Sequence, residues 1–192
     1  MKKYSVYLLF AGALLLILSF LFPVWSITLE APQYPDGLRL DIWLYAIGGS
    51  SENILQNINI LNHYIGMKKI EPDSIPELKI FPYVVGFLIV FGLVSAFLKK
   101  RMMLWIWVIL FAIFGVVAIY DFYTWLFDYG HNLDPYAPIK VPGMVYQPPL
   151  FGEKWLLNFR ALSYPATGGI IMFVSVLFGL LALLNEHIFK KG

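Results

Sequence analysis

Cysteine is absent from this 192-residue chain, and several chemistries are excluded with it. Electron transfer between a disulfide and a quinone, as performed by four-helix membrane oxidoreductases, needs paired cysteines. Thiolate zinc sites, iron–sulfur clusters, covalently attached c-type haem and a cysteine-borne lipid anchor are excluded for the same reason. Charge is scarce as well: 14% of residues are Asp, Glu, Lys or Arg, against about 25% in a soluble domain. A net charge of +2 with no basic patch interleaved with aromatics leaves nucleic acid no footprint. The sequence has no Gly-rich phosphate loop for a nucleotide, no GxSxG, no HExxH, no carboxylate pair placed for glycoside chemistry and no Asn-x-Ser/Thr acceptor. Its three histidines leave no pair within the apolar runs to hold a b-type haem.

What the chain has instead is apolar residues, 59% of the total, gathered into runs of bilayer length. Lys2-Lys3 precede a run over 4–24 that exceeds the apolar core of a cleaved signal, about 7–15 residues, so it predicts a retained span. Trp25 follows as an interfacial anchor. Further spans are predicted at 80–98, 102–127 and 166–184, with the second and third separated by Lys99-Lys100-Arg101 alone. The first and last two spans are thus joined by long polar loops, 25–79 and 128–165. Lys2, Lys3, Lys99, Lys100, Arg101, Lys190 and Lys191 against Glu186 give the short segments a net +6; residues 26–80 carry −3 and residues 121–165 carry −1. By the positive-inside rule both termini are cytoplasmic and both loops lie outside, on the periplasmic or extracellular face of a cytoplasmic membrane. The expected fold is an all-α, multi-pass four-helix bundle whose two outer loops form a small extracytoplasmic cap.

Within loop 25–79, Ala31-Pro32-Gln33-Tyr34-Pro35-Asp36-Gly37 reads as turns, and Leu38-Arg39-Leu40-Asp41-Ile42 alternates as a half-buried strand does, broken by Gly48-Gly49-Ser50-Ser51. Ser51 is placed to cap a helix whose Ile54, Ile58, Leu61 and Ile65 share one face, and Gly66 ends it before Pro72 and Pro76. Loop 128–165 carries Pro135, Pro138, Pro142, Pro148 and Pro149, which favour one stiff extended path.

Candidate chemistry lies in these loops. His63 and Met67, four residues apart on the predicted helix, put an imidazole and a thioether on one side, a pairing that suits copper(I) in a compartment that oxidises thiols. Asn62 stands beside them. The stiff second loop can bring His131 and Met144 to the same place, with Asp128 orienting His131 from behind. Asp121, at the membrane boundary, is either a functional acid or the ion-pair partner of Arg160. The plain alternative makes His63 a helix-end residue, Met67 a packing side chain and the proline loop a lid. Met102, Met103 and Met172 are expected to face lipid or core, and Trp105 and Trp107 to lie in the inner interfacial belt.

The segments Ala31-Pro32-Gln33-Tyr34-Pro35-Asp36-Gly37-Leu38, Asn62-His63-Tyr64-Ile65-Gly66-Met67 and Asp134-Pro135-Tyr136-Ala137-Pro138-Ile139-Lys140 resemble a family of small four-span membrane proteins associated with accessory systems of copper-dependent nitrous oxide reductase. The resemblance implies copper supply or assembly near a periplasmic cuproenzyme, with copper as the bound metal. Two other classes remain open. One is a non-catalytic subunit whose loops dock a periplasmic or membrane protein partner through Tyr136, Tyr146 and Trp155. The other is an enzyme acting on a lipid or quinone, with Asp121 and His131 as acid and base.

Overall fold

The computed structural model describes residues 1–49 and 51–188. Ser50, Lys190 and Lys191 lie outside them. In chain order the elements are α1 (Lys3–Leu18), β1 (Trp25–Ala31), β2 (Tyr34–Ile42), β3 (Ile47–Gly49), α2 (Ile54–Ile65), α3 (Glu77–Leu98), α4 (Arg101–His131), β4 (Gly152–Leu156), β5 (Phe159–Pro165) and α5 (Thr167–Ile188).

Helices α3, α4 and α5 are long and apolar enough to cross a membrane. Tyr83, Phe97, Met102 and Val116 on α3 and α4 are 71–83% exposed, a surface suited to lipid rather than water. The 16 residues of α1 rise only about 24 Å, yet residues 2–23 run the whole length of α5. At one end the backbone N–H of Lys2 donates to the Glu186 carboxylate at 2.5 Å; at the other, the N–H of Gly168 donates to the Pro23 carbonyl at 2.8 Å. Between these ends Leu9, Ala13 and Leu16 are fully buried. Ser175 Oγ donates to the Gly12 carbonyl at 2.7 Å and Ser5 Oγ to that of Ala182 at 3.1 Å, small residues letting the helices approach closely.

The bundle is centred on Trp107, with no exposed surface. Its indole N–H donates to the Leu88 carbonyl at 2.8 Å, and its ring fills space left by two glycines: a Cβ on Gly92 would lie 2.7 Å from it and one on Gly179 2.5 Å. This corrects the expected place of Trp107 in an interfacial belt. The buried indole has its hydrogen bond within the bundle, whereas Trp105, 40% exposed against His187, keeps an edge position.

The chain is mostly helical but not all-α. A five-stranded antiparallel sheet, ordered β3-β2-β1-β5-β4, stands on one end of the bundle. The alternating segment Leu38–Ile42 is the strand expected, with Leu38 and Leu40 buried and Arg39 turned out to meet Asp41 at 2.8 Å. The remaining strands break the alternation rule, or come from stretches that read as turns. Ala31 and Tyr34 pair across a Pro32-Gln33 hairpin turn, with a register shift after Leu29. Gly48 and Gly49 belong to β3 instead of interrupting the segment, because a side chain on Gly49 would overlap the Arg39 carbonyl and Ile54. Strand β5 leads directly into α5, so the sheet rises from the bundle at Trp25, Ile42 and Pro165, which pair in register, and its hairpin tips lie farthest from it.

The 31 residues of α4 make a rod of about 46 Å, longer than the roughly 30 Å of a hydrocarbon core. Its last turns, beyond Asp121, rise beside the sheet. Tyr129 packs there with Leu38, Leu40, Ile54, Ile58 and Ile70 in a second core, and α2 closes it. Trp25 is no free anchor: its N–H donates to Ser163 Oγ at 2.8 Å and its ring meets Phe122 edge-on.

Candidate functional site

The predicted apolar stripe forms α2. Ile54 and Ile58 are buried, but Asn53 rather than Ser51 occupies the N-cap, Ser51 giving its carbonyl to the Ile54 N–H. At the other end Gly66 adopts φ +83°, and the N–H of Met67 reaches back to the Asn62 carbonyl at 2.9 Å. Met67 therefore lies past the helix, where the four-residue spacing no longer places it above His63. Two asparagines hold the segment that follows. Asn59 exchanges hydrogen bonds with Ile70, at 3.0 Å and 2.7 Å, and the buried Asn62 donates from Nδ2 to the Lys68 carbonyl at 3.2 Å. The segment is thereby laid alongside α2, forming an open groove whose walls include both His63 and Met67. His63 is exposed beside Tyr64, while Met67 is half-buried and also packs on the second core.

His131 and Met144 are placed elsewhere. His131 ends α4, its ring stacked on Phe127 at 3.8 Å and its Nδ1 bonded to the Phe127 carbonyl at 2.9 Å. Because a carbonyl only accepts, Nδ1 is the donor in this bond, and in the neutral ring Nε2 keeps the lone pair. Asp128 does not orient it: its carboxylate takes Lys68 at 2.6 Å and the amide of Asn132. Met144 lies in a turn closed on Val141. The proline loop carrying it is tied at both ends, by the N–H of Ile139 to the Tyr64 carbonyl at 2.9 Å and that of Tyr146 to the Gly130 carbonyl at 3.0 Å. It thus spans from the neighbour of His63 to the neighbour of His131. Among the described residues no three His, Asp or Glu side chains gather as a metal-holding group.

Asp121 and Arg160 do not pair. Arg160 lies at the far end of β5, beside Glu30 in register, and binds Glu30 at 3.3 Å as well as Glu153. Glu153 first, and Glu30 after it, raise its pKa and keep it charged. Asp121 is at the base of the sheet, near Glu77. Ten residues of helix separate it from His131, about 15 Å of rise and different faces, so these two do not form one acid–base centre.

Sequence reasoning missed a second feature. Between the inner face of the sheet, α2, the top of α4 and the proline loop lies an apolar cavity of about 300 Å³. Leu29, Leu40, Ile58 and Leu126 form its walls, with Trp125 and Tyr129 stacked at 4.0 Å on one side. No single segment announces it, because each wall presents only the ordinary apolar face of a strand or helix. No protein family, curated sequence or solved structure matches the chain.

Proposed function

We propose that this chain is a four-span protein of the cytoplasmic membrane, both termini inside, whose outer cap takes up copper(I) as an accessory to a cuproenzyme. The fourth span is residues 2–23, which accompany α5 from Glu186 to Gly168. Lys99, Lys100 and Arg101 lie at the end away from the sheet, in keeping with an inner face there. The observation that carries the copper reading is that His63 and Met67, although Gly66 turns Met67 off the helix, line one open groove. An exposed imidazole and a half-buried thioether are donors copper(I) accepts and harder cations do not prefer. His131, with Nδ1 engaged and Nε2 outward, is a further donor for an ion passing to or from a partner.

Purified protein loaded anaerobically with copper(I) and washed is expected to retain about one copper per chain by elemental mass spectrometry, and His63→Ala/Met67→Ala to retain none while remaining folded. Equal retention by the double variant would remove the assignment.

A second reading, a docking subunit without metal, is favoured by Tyr136 at 87% exposure and Trp155 at 66%, aromatic side chains standing out from the cap as interface anchors do.

A further inference from the structure

We infer that the end of the α4–α5 seam away from the sheet is a headgroup site for an anionic phospholipid, with Arg101 as the group that holds its phosphate. The inference is independent of the copper reading, since it uses no residue of the cap. It needs only that α4 and α5 cross a bilayer, as their length and apolarity allow.

Charge balance comes first. In the cap, Arg39, Lys68, Lys69 and Arg160 each have a carboxylate within ion-pair distance. At the opposite end of the bundle Lys99 and Lys100 are exposed and Arg101 is half-buried. Among the described residues none of these three is paired with a carboxylate. The acidic residue at that end, Glu186, is 7% exposed and takes the backbone N–H of Lys2. The complement to the three cations therefore comes from outside the chain.

Arg101 is also held in place. Its Nη2 donates to Nε2 of His187 at 2.8 Å. A guanidinium only donates, so the imidazole accepts and braces it without neutralising it. Trp105 meets the same imidazole edge-on, with ring centroids 5.7 Å apart. Most of the guanidinium N–H donors stay available, in the planar fork that matches a phosphate. Lys100, next in the chain, adds a second cation.

Apolar side chains set the source of that phosphate. Arg101, Trp105 and Ile109 follow one another four residues apart on α4, and His187, Leu184 and Leu180 share a face of α5. The Arg101–His187 bond joins the two rows at their charged end. Trp105, Ile109, Leu184 and Leu180 are 40–53% exposed. From Arg101 to Ile109 the row runs about 12 Å into the bundle, close to the depth of one leaflet. A soluble anion leaves that surface bare, whereas an acyl chain below a bound headgroup covers it. Basic pockets between membrane helices hold anionic headgroups in this way.

The test uses the full chain, delipidated in detergent and offered equal amounts of phosphatidylglycerol and phosphatidylcholine with the same acyl chains. Bound lipid is counted by native mass spectrometry. Preferential retention of about one phosphatidylglycerol per chain is expected. Arg101→Gln is expected to reduce that preference about fivefold or more, the share of one cation. Lys140→Gln removes the same charge from the cap and is expected to change nothing. His187→Ala keeps the guanidinium and removes its brace, and is expected to reduce the preference about twofold, the lower value of one hydrogen bond. It becomes the deciding variant if Arg101→Gln does not fold. Excess inorganic phosphate is expected to displace none of the lipid. Equal retention of the two lipids by the wild-type chain would overturn the assignment. So would a preference unchanged in the deciding variant, an equal loss in Lys140→Gln, or displacement of the lipid by inorganic phosphate.

Discussion

Trp107→Ala is expected to destabilise the bundle by roughly 3 kcal/mol, read as a lowered unfolding midpoint in sodium dodecyl sulfate titration. The size follows from what a bilayer leaves out. In a soluble core, removing a tryptophan loses both the transfer of apolar area from water and the packing around it. Between helices in lipid the transfer term largely vanishes, because the alternative surroundings are as apolar as the core. The packing term survives: a cavity of roughly 140 Å³ at about 24 cal/mol per Å³ gives roughly 3 kcal/mol. Gly92 and Gly179 make collapse difficult, since both press backbone against the indole and neither has a side chain to move into the gap. Trp107→Phe retains much of the volume and loses the bond to Leu88, and should cost about 1 kcal/mol. An effect below 1 kcal/mol for Trp107→Ala would instead be that of an interfacial anchor, the role its sequence position suggests.

That contrast marks where sequence information runs out. The long apolar runs announce α3, α4 and α5 because each satisfies its backbone internally and needs no knowledge of its neighbours. Ile54 and Ile58, Gly66, and the alternation of Leu38 to Ile42 were likewise readable from spacing alone. The interior of the bundle was not, because helices apolar on every side carry no stripe to say which face is inward. Trp105 and Trp107 are two residues apart and differ only in what packs against them. The sheet was hidden for a related reason. Its edge strand contains Gly48-Gly49, residues whose local preference is for turns, overridden by pairing with β2, and the turn over Pro32-Gln33 joins two strands that the turn-rich composition around it conceals. For the candidate site, His63 and Met67 were found by their spacing but on a wrong premise. Gly66 ends the helix between them, and the groove they share is made by Asn59 and Asn62, which no ligand pattern singles out. Tyr146 was noticed only as an aromatic anchor. Its enclosed hydroxyl is a property of four elements meeting.

Gly130→Val is expected to release the proline loop and open the cap while leaving the membrane helices intact. Gly130 lies in the last turn of α4, and a Cβ there would overlap the backbone of Gln147. Backbone cannot rotate away as a side chain can, so the loop must move. The movement breaks the bond from the Tyr146 N–H to the Gly130 carbonyl, worth about 1 kcal/mol net. It also exposes part of the Tyr146 ring, about 1–2 kcal/mol more at the usual value per unit area. Together, about 2–3 kcal/mol raises the population of the open loop about 30- to 150-fold. Proteolysis that requires local opening follows that population, so trypsin cleavage after Lys140, in the centre of the loop, should accelerate by a similar factor. The unfolding midpoint of the bundle should not move, because Gly130 and the loop pack outside it, whereas Trp107 and the α1–α5 contacts lie within it. Cleavage at the wild-type rate would mean that the loop holds its place without its seat on α4. Digestion of intact spheroplasts extends the test to topology, since Lys140 is reachable from outside only if the cap faces outward.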